Sequence, residues 1–457
     1  MGRSRKPKKS TGTSLPVLRP DVAGIDLGSC EHWVCGPDRG DGKANVQVFG
    51  TTTAQLEQLA QWLEDQGVQS VAMESTHVYW IPLYELLESR GFEVLLANAR
   101  QLHNVPGRKT DMADCQWLQR LHACGLLRGS FRPDEAICRL RALQRQIGNL
   151  VEERTRAVQW MQKALDQMNV QVHRAVTDIT GKTGMAIIRA IVGGQRDPAT
   201  LAEFRDRRCK KSKQAIAEHL TGTWREEHLF NLGSALRIFD GIEQEIARYD
   251  EKLCQELEAL QPPERRDEQV PAHPNPLKES AIKRRGDQAL RTELWRAAGV
   301  DLTRIDGISS AAARTIITEV GLDLSSFPTE KDFVSWLRLC PRRPISGGKQ
   351  LSKRPNGTGA NRISGILRMC AKPLVRSQTA LGAYYRRLAR RKEGKVALFA
   401  TARRLAELVY RMLRFGQDYV DEGAEAYEAR FQVNRLAGIE RAAEQMGYTL
   451  VPQSEVM

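Results

Sequence analysis

The sequence predicts an α/β domain joined to a mainly helical remainder. Short apolar runs alternate with amphipathic stretches from residue 20 to about 130, which is the pattern of strands and helices in succession. From Leu140 onward the apolar residues change to a 3-4 spacing that only helices use. The chain of 457 residues is long enough for two or three domains of roughly 100–200 residues each.

The elements follow in order. The first nineteen residues hold Arg3, Arg5, Lys6, Lys8, Lys9 and Arg19 and no acid. With no apolar stretch behind it, this is a basic arm rather than a secretory signal, expected to order on a polyanion. Residues 22–25 form a short apolar strand, and Trp33, Val34, Val46, Val48 and Phe49 predict a hairpin after it. Leu56, Leu59, Trp62 and Leu63 mark an amphipathic helix; residues 71–73 read as a strand, 81–87 as a helix and 94–97 as another strand.

Leu140, Leu143, Ile147, Leu150, Ala157, Met161, Ala164 and Met168 then give a heptad-like helix. Phe239, Ile242, Ile246, Tyr249, Leu253, Leu257 and Leu260 give a second. Such helices pair, either as a hairpin within one chain or as a seam between protomers. The basic segment between them, with Arg205, Arg207, Arg208, Lys210, Lys211 and Lys213, is expected to be helical. Pro262, Pro263, Pro271, Pro274 and Pro276 mark a linker. Residues 302–321 have the shape of a helix-hairpin-helix, with Gly307 between apolar neighbours and Ser309 where a second glycine is usual. Such a hairpin can turn backbone N–H groups toward a phosphate. The chain is helical again after Gly394 and ends in a peripheral helix and tail. The predicted division is a basic arm at 1–19, an α/β catalytic part at 20–135, a helical coiled-coil region at 136–275, a mainly helical domain at 276–420 and a tail at 421–457.

Charge narrows the function. The net charge is +14 and the pI about 9.5, which favours nucleic acid as partner. From Phe333 to Lys392 there is no Asp or Glu, while fifteen Lys and Arg fall in the window, among them Arg342, Arg343, Lys349, Lys353 and Arg354. A merely solvated face mixes signs; a run free of acids fits a surface lying beside phosphates. No apolar run approaches the ~20 residues a bilayer span needs, so a soluble protein with no membrane partner is expected. The nine cysteines are scattered and form no Cys-x-x-Cys pair, which predicts reduced thiols and no zinc site.

Four carboxylates carry the chemistry. Asp26 lies in Gly24-Ile25-Asp26-Leu27-Gly28 and Glu74 in Met73-Glu74-Ser75-Thr76, both at the ends of predicted strands, where open α/β sheets place their ligands. Asp111 and Asp114, in Lys109-Thr110-Asp111-Met112-Ala113-Asp114, sit three apart on one face at the start of a helix. Acids from two strand ends and a helix can converge on hard divalent cations such as Mg²⁺, and two such ions can clamp both oxygens of a phosphodiester exchange. Gly-Ile-Asp-Leu-Gly also opens actin-like ATPase domains, but the Asp-x-Gly-Gly or Asp-x-Gly-Thr phosphate loop that they require is absent. Surface capping by two or more of these acids is the bland alternative. The order Asp, Glu, Asp-x-x-Asp matches a RuvC-like, RNase H-type core. Ser346, in Pro341-Arg342-Arg343-Pro344-Ile345-Ser346-Gly347-Gly348-Lys349, is a second candidate. Serine is a poor nucleophile unless activated, and from composition alone it reads as a phosphate contact in a basic loop. His77 and His103 flank the acids in sequence and read more simply as solvent-exposed or core histidines.

These residues together resemble the DEDD insertion-sequence transposases, the IS-one-ten family described as bridge-RNA-guided recombinases. The resemblance runs from about residue 22 to 415. It rests on Gly24 to Gly28, on Met73 to Thr76 followed by Tyr79, on Arg108-Lys109-Thr110-Asp111-Met112-Ala113-Asp114, on Ile305-Asp306-Gly307-Ile308, and on Cys340-Pro341-Arg342-Arg343 followed by Ser346-Gly347. It implies a RuvC-like domain, a coiled-coil insertion and a C-terminal transposase domain in a bacterial cytoplasmic protein, nucleoid-associated when on DNA. It further implies Mg²⁺ on Asp26, Glu74, Asp111 and Asp114, and attack on DNA by Ser346 through a phosphoserine. Donor and target DNA and a noncoding bridge RNA would be partners, with nucleic-acid contacts from Arg108, Lys109, Gly307, Arg342, Arg343, Lys349, Lys353 and Arg354. A site shared between protomers implies a homodimer, and a tetramer on DNA. Gly347-Gly348-Lys349 replaces a more serine-rich stretch of the family pattern, and the long insertion and basic arm are departures. The residues alone also admit a junction-resolving nuclease that uses water as nucleophile, and a non-enzymatic nucleic-acid-binding protein.

Overall fold

Apolar alternation in the first part of the chain becomes a five-stranded sheet in the computed structural model, which describes residues 16–40, 44–75, 78–97, 111–340, 345–346, 349–350 and 361–451, with backbone only at 111, 345–346 and 349–350. The strands are β1 (Val22–Leu27), β2 (Glu31–Cys35), β3 (Val46–Gly50), β4 (Ser70–Glu74) and β5 (Glu93–Ala97). Their order is β3-β2-β1-β4-β5, with β1, β2 and β3 antiparallel and β1, β4 and β5 parallel. The expected hairpin is therefore present, and its register sets Asp26 opposite Trp33.

Helices α1 (Thr53–Asp65) and α2 (Trp80–Ser89) cover one face of this sheet, burying Leu59, Leu63, Leu83 and Leu87 against Ile25, Val71 and Met73. Helix α3 (Asp111–Ala123) covers the other, packing Leu118 on Ala72 and Ala97. These elements belong to one unit, Met1–Arg132.

The second unit, Pro133–Met457, begins with the two heptad helices, α4 (Glu135–Gln167) and α9 (Glu226–Ala259). Asp134 caps α4, its carboxylate accepting the Ile137 N–H at 2.8 Å. The pair is an antiparallel hairpin within the chain: Arg154 meets Glu243 at 2.7 Å while Arg139 meets Glu256 at 3.3 Å. Between them α5 (Val172–Ala175), α6 (Lys182–Val192), α7 (Pro198–Ala202) and α8 (Lys213–Leu220) close a core around Met161, Leu165, Ile187, Ile191, Leu201, Ile216 and Leu236.

Two expectations from the sequence give way here. The basic stretch from Arg205 to Ser212 is not a helix, and α8 starts only at Lys213. Local side-chain bonds compete with the helix: Asp206 accepts the Arg208 N–H at 3.0 Å, and the Arg205 guanidinium donates to the carbonyls of Cys209 and Lys211 at 2.6 Å each. The proline-rich segment at 262–276 is likewise packed rather than a free linker. It forms a 3₁₀ turn at Pro263–Arg265, the Pro271 carbonyl accepts from Arg291 at 2.8 Å, and His273 is buried.

The remaining helices are α10 (Pro276–Arg285), α11 (Gln288–Ala298), α12 (Ser310–Val320), α13 (Glu330–Trp336), α14 (Arg362–Ala371), α15 (Ala380–Arg391), α16 (Gly394–Phe415) and α17 (Gly423–Gln445). A two-stranded piece, β6 (Ile345–Ser346) with β7 (Lys349–Gln350), lies between α13 and α14. Arg291 and Asp301, 1 % and 6 % exposed, form a buried ion pair at 2.7 Å that ties α11 to the segment before α12. Among the described residues no helix is long and apolar enough to cross a membrane.

Candidate active site

The cleft at the end of the sheet is built by strand register. In the parallel pair β1–β4, Ile25 stands beside Met73, so the next residues, Asp26 and Glu74, are neighbours on strands about 4.8 Å apart. Alternation sends both to the face that carries Gly24 and Ala72, the face under α3. Ser75 holds the chain beyond Glu74 against β5, its N–H and hydroxyl both donating to the Ala97 carbonyl at 3.1 Å.

Helix α3 can deliver Asp114 there because β1 has a glycine beneath it. A Cβ on Gly24 would stand 2.3 Å from the Gln119 nitrogen and 2.6 Å from the Cys115 carbonyl oxygen. Backbone thus packs on backbone, and Asp114, just before Cys115, reaches the level of Asp26. Burial pushes the Cys115 thiol up to about 12, with the charge of Asp26 adding to the effect.

Asp26 and Asp114 line one cavity of about 540 Å³ with Gly28, Ser29, Cys30, Glu31 and Trp33. Gly28 belongs to the Gly24–Gly28 motif and Trp33 to the predicted hairpin, whereas Ser29, Cys30 and Glu31 carried no signal in the sequence. The turn that makes them adjacent is closed by the Gly28 N–H on the Glu31 carbonyl at 3.0 Å, and the Trp33 indole N–H donates to the Glu31 carboxylate at 3.0 Å. Counting outward from the turn pairs Asp26 with Trp33, a signal the sequence does hold.

Asp111 is the first residue of α3, as its spacing predicted; its side chain lies outside the described residues. The donor chemistry, all carboxylate oxygen, fits a hard divalent ion. Among the described residues no three His, Cys, Asp or Glu stand together closely enough to hold one.

The other candidates lie in the second unit or outside the described residues. Ser346 is a strand residue whose cross-strand partner is Lys349. Arg108, Lys109, Arg342, Arg343, Lys353 and Arg354, with His77 and His103, fall outside the described residues. Gly307 has φ +86°, and a Cβ there would meet the Cys370 carbonyl oxygen at 2.4 Å. Ser309, in place of the usual second glycine, caps α12 by accepting the Ala312 N–H at 3.2 Å. Lys278 donates to the carbonyls of Thr303 and Ile305, and burial lowers its pKa. Nothing in the sequence marked it.

A mixed sheet of this order with helices on both faces fits an α/β RNase H-like domain ahead of a helical region. Comparison with known families agrees. Residues 23–170 match the DEDD model described as Transposase, and residues 299–386 match the model described as Transposase IS116/IS110/IS902 family. A search of curated proteins gives no match. The chain belongs to the IS110 family of transposases, and its activity is DNA transposition.

Proposed function

We propose that this transposase excises and inserts its element by DNA strand exchange through a phosphoserine at Ser346, with Asp26, Glu74, Asp111 and Asp114 as the metal-binding acids. The reading is supported by Asp26 and Asp114 lining one cleft, with Glu74 following Met73 on the strand paired with β1 and α3 opening on Asp111. A divalent ion held there would polarise a phosphoryl oxygen and ease deprotonation of a hydroxyl.

In the proposed step the Ser346 oxygen bonds to phosphorus, its proton leaves, and one sugar oxygen departs with the electron pair of the broken P–O bond. Attack by a sugar hydroxyl on the phosphoserine later reverses this and frees the serine. The bond count is conserved, so no external energy source is required. Choice of target is assigned to a bridge RNA that pairs with donor and target DNA, while the protein holds the backbones. The assembly is a homo-oligomer, a dimer that becomes a tetramer on DNA.

The test is amplification across the circular junction in cells carrying the gene with its native flanking DNA. Wild type yields the junction; Ser346→Ala and Asp114→Asn do not, while both still bind DNA. Junctions from Ser346→Ala at the wild-type level would remove the serine and leave a metal-and-water nuclease. Junctions from Asp114→Asn would remove that acid from the site.

A further inference from the structure

Three guanidinium groups in the second unit gather on one carboxylate. Glu319, near the end of α12, has a side chain only 7 % exposed. Arg145 of α4 grips it with two hydrogen bonds, Nε at 2.9 Å and Nη2 at 2.8 Å. Arg141, one turn earlier, lies 3.5 Å from the same carboxylate and also donates to the Glu319 carbonyl. Arg362, the first residue of α14, approaches it at 4.0 Å. A Cβ at Gly148 would lie 3.3 Å from the Arg362 guanidinium, so the glycine makes room for that side chain against α4.

Three positive charges around one negative charge leave a local excess of two. Like charges this close repel unless an anion joins them. Holding them costs stability in the free protein, and the buried carboxylate reduces that cost while fixing the side chains in place. Two of the three remain half-exposed: Arg145 is 47 % and Arg362 49 % accessible. Arg362 also stands at the positive end of a ten-residue helix. Half-exposed guanidinium groups fixed on a buried carboxylate keep further N–H groups for phosphate oxygens.

We infer that Arg145 and Arg362, held by Glu319, form a binding site for a phosphodiester of the nucleic-acid backbone. The inference rests on the cluster and on DNA as a partner of the family, not on the phosphoserine step, so loss of Ser346 leaves it intact.

The experiment measures affinity of the full chain against salt concentration, for a random-sequence DNA duplex and separately for an RNA hairpin. Each phosphate contact contributes about 0.9 to the slope on duplex DNA. Arg362→Gln should lower the slope by about 1 and Arg145→Gln with Arg362→Gln by about 2, whereas lysine at both positions should keep it. A fall on DNA alone assigns the site to DNA, a fall on RNA alone to RNA, and a fall on both to a shared backbone track. An unchanged slope on both for Arg362→Gln, which breaks only a long ion pair and so leaves the fold in place, would overturn the inference.

Discussion

Gly24→Ala isolates the contact on which the cleft depends. The added methyl would lie 2.3 Å from the Gln119 nitrogen and 2.6 Å from the Cys115 oxygen, where ordinary contact begins at 3.4 Å. Both neighbours are backbone, so no rotamer change relieves the clash, and α3 must retreat by about 1 Å. Overpacking of this kind costs roughly 1–3 kcal/mol, and with backbone on both sides the cost falls near the top, about 3 kcal/mol. A domain stable by about 5–15 kcal/mol survives that. Activity is hit harder, because the retreat carries Asp114 away from Asp26. A misplacement of about 1 Å can cost about 100-fold. Urea unfolding gives the first number and quantitative junction amplification the second. Wild-type stability with wild-type junction yield would refute the packing of α3 on β1 and with it the placement of Asp114.

Other consequences follow from the same physical terms. Asp301→Ala leaves Arg291 charged and 1 % exposed without its carboxylate; loss of such a partner costs about 3–5 kcal/mol, so an unfolding midpoint within error of wild type would contradict a buried pair. Gly307→Ala imposes a left-handed backbone worth about 1–2 kcal/mol and a 2.4 Å clash with the Cys370 carbonyl, so it should destabilise the second unit and weaken DNA binding together; full binding would separate the hairpin from DNA. His32, His122 and His273 are buried, and burial pulls each pKa below the usual value near 6.5. The unfolded chain therefore takes up these protons first, so their stabilising contribution is complete above about pH 6.5 and is lost as pH falls toward the folded values. The slope is at most about 1.4 kcal/mol per pH unit for each histidine. Urea midpoints that do not fall between pH 7 and 5 would contradict it.

Much of this could be read from residue order. Apolar alternation located every strand of the sheet, and the spacing of Asp111 and Asp114 located the start of α3. The heptads located α4 and α9 but left open whether they pair in one chain, because a seam of Leu and Ile looks the same in both cases. Arg154–Glu243 and Arg139–Glu256 decide it. The basic stretch at 205–212 misled because charge density carries no periodicity, while Asp206 and Arg205 bond locally to backbone. The arginine cluster was illegible because Arg145, Glu319 and Arg362 are far apart in the chain and meet only through helix packing. Trp33 was legible in principle, through the register of the hairpin at Ser29 and Cys30.

The most direct measurement is a search for a covalent protein–DNA adduct. Purified full-length chain is incubated with labelled element-end DNA and Mg²⁺, denatured, and the modified peptide is mapped by mass. A DNA-linked peptide containing Ser346 is expected, absent from Ser346→Ala and from Asp114→Asn. Cleaved DNA ends without any adduct, produced equally by Ser346→Ala, would contradict the phosphoserine step.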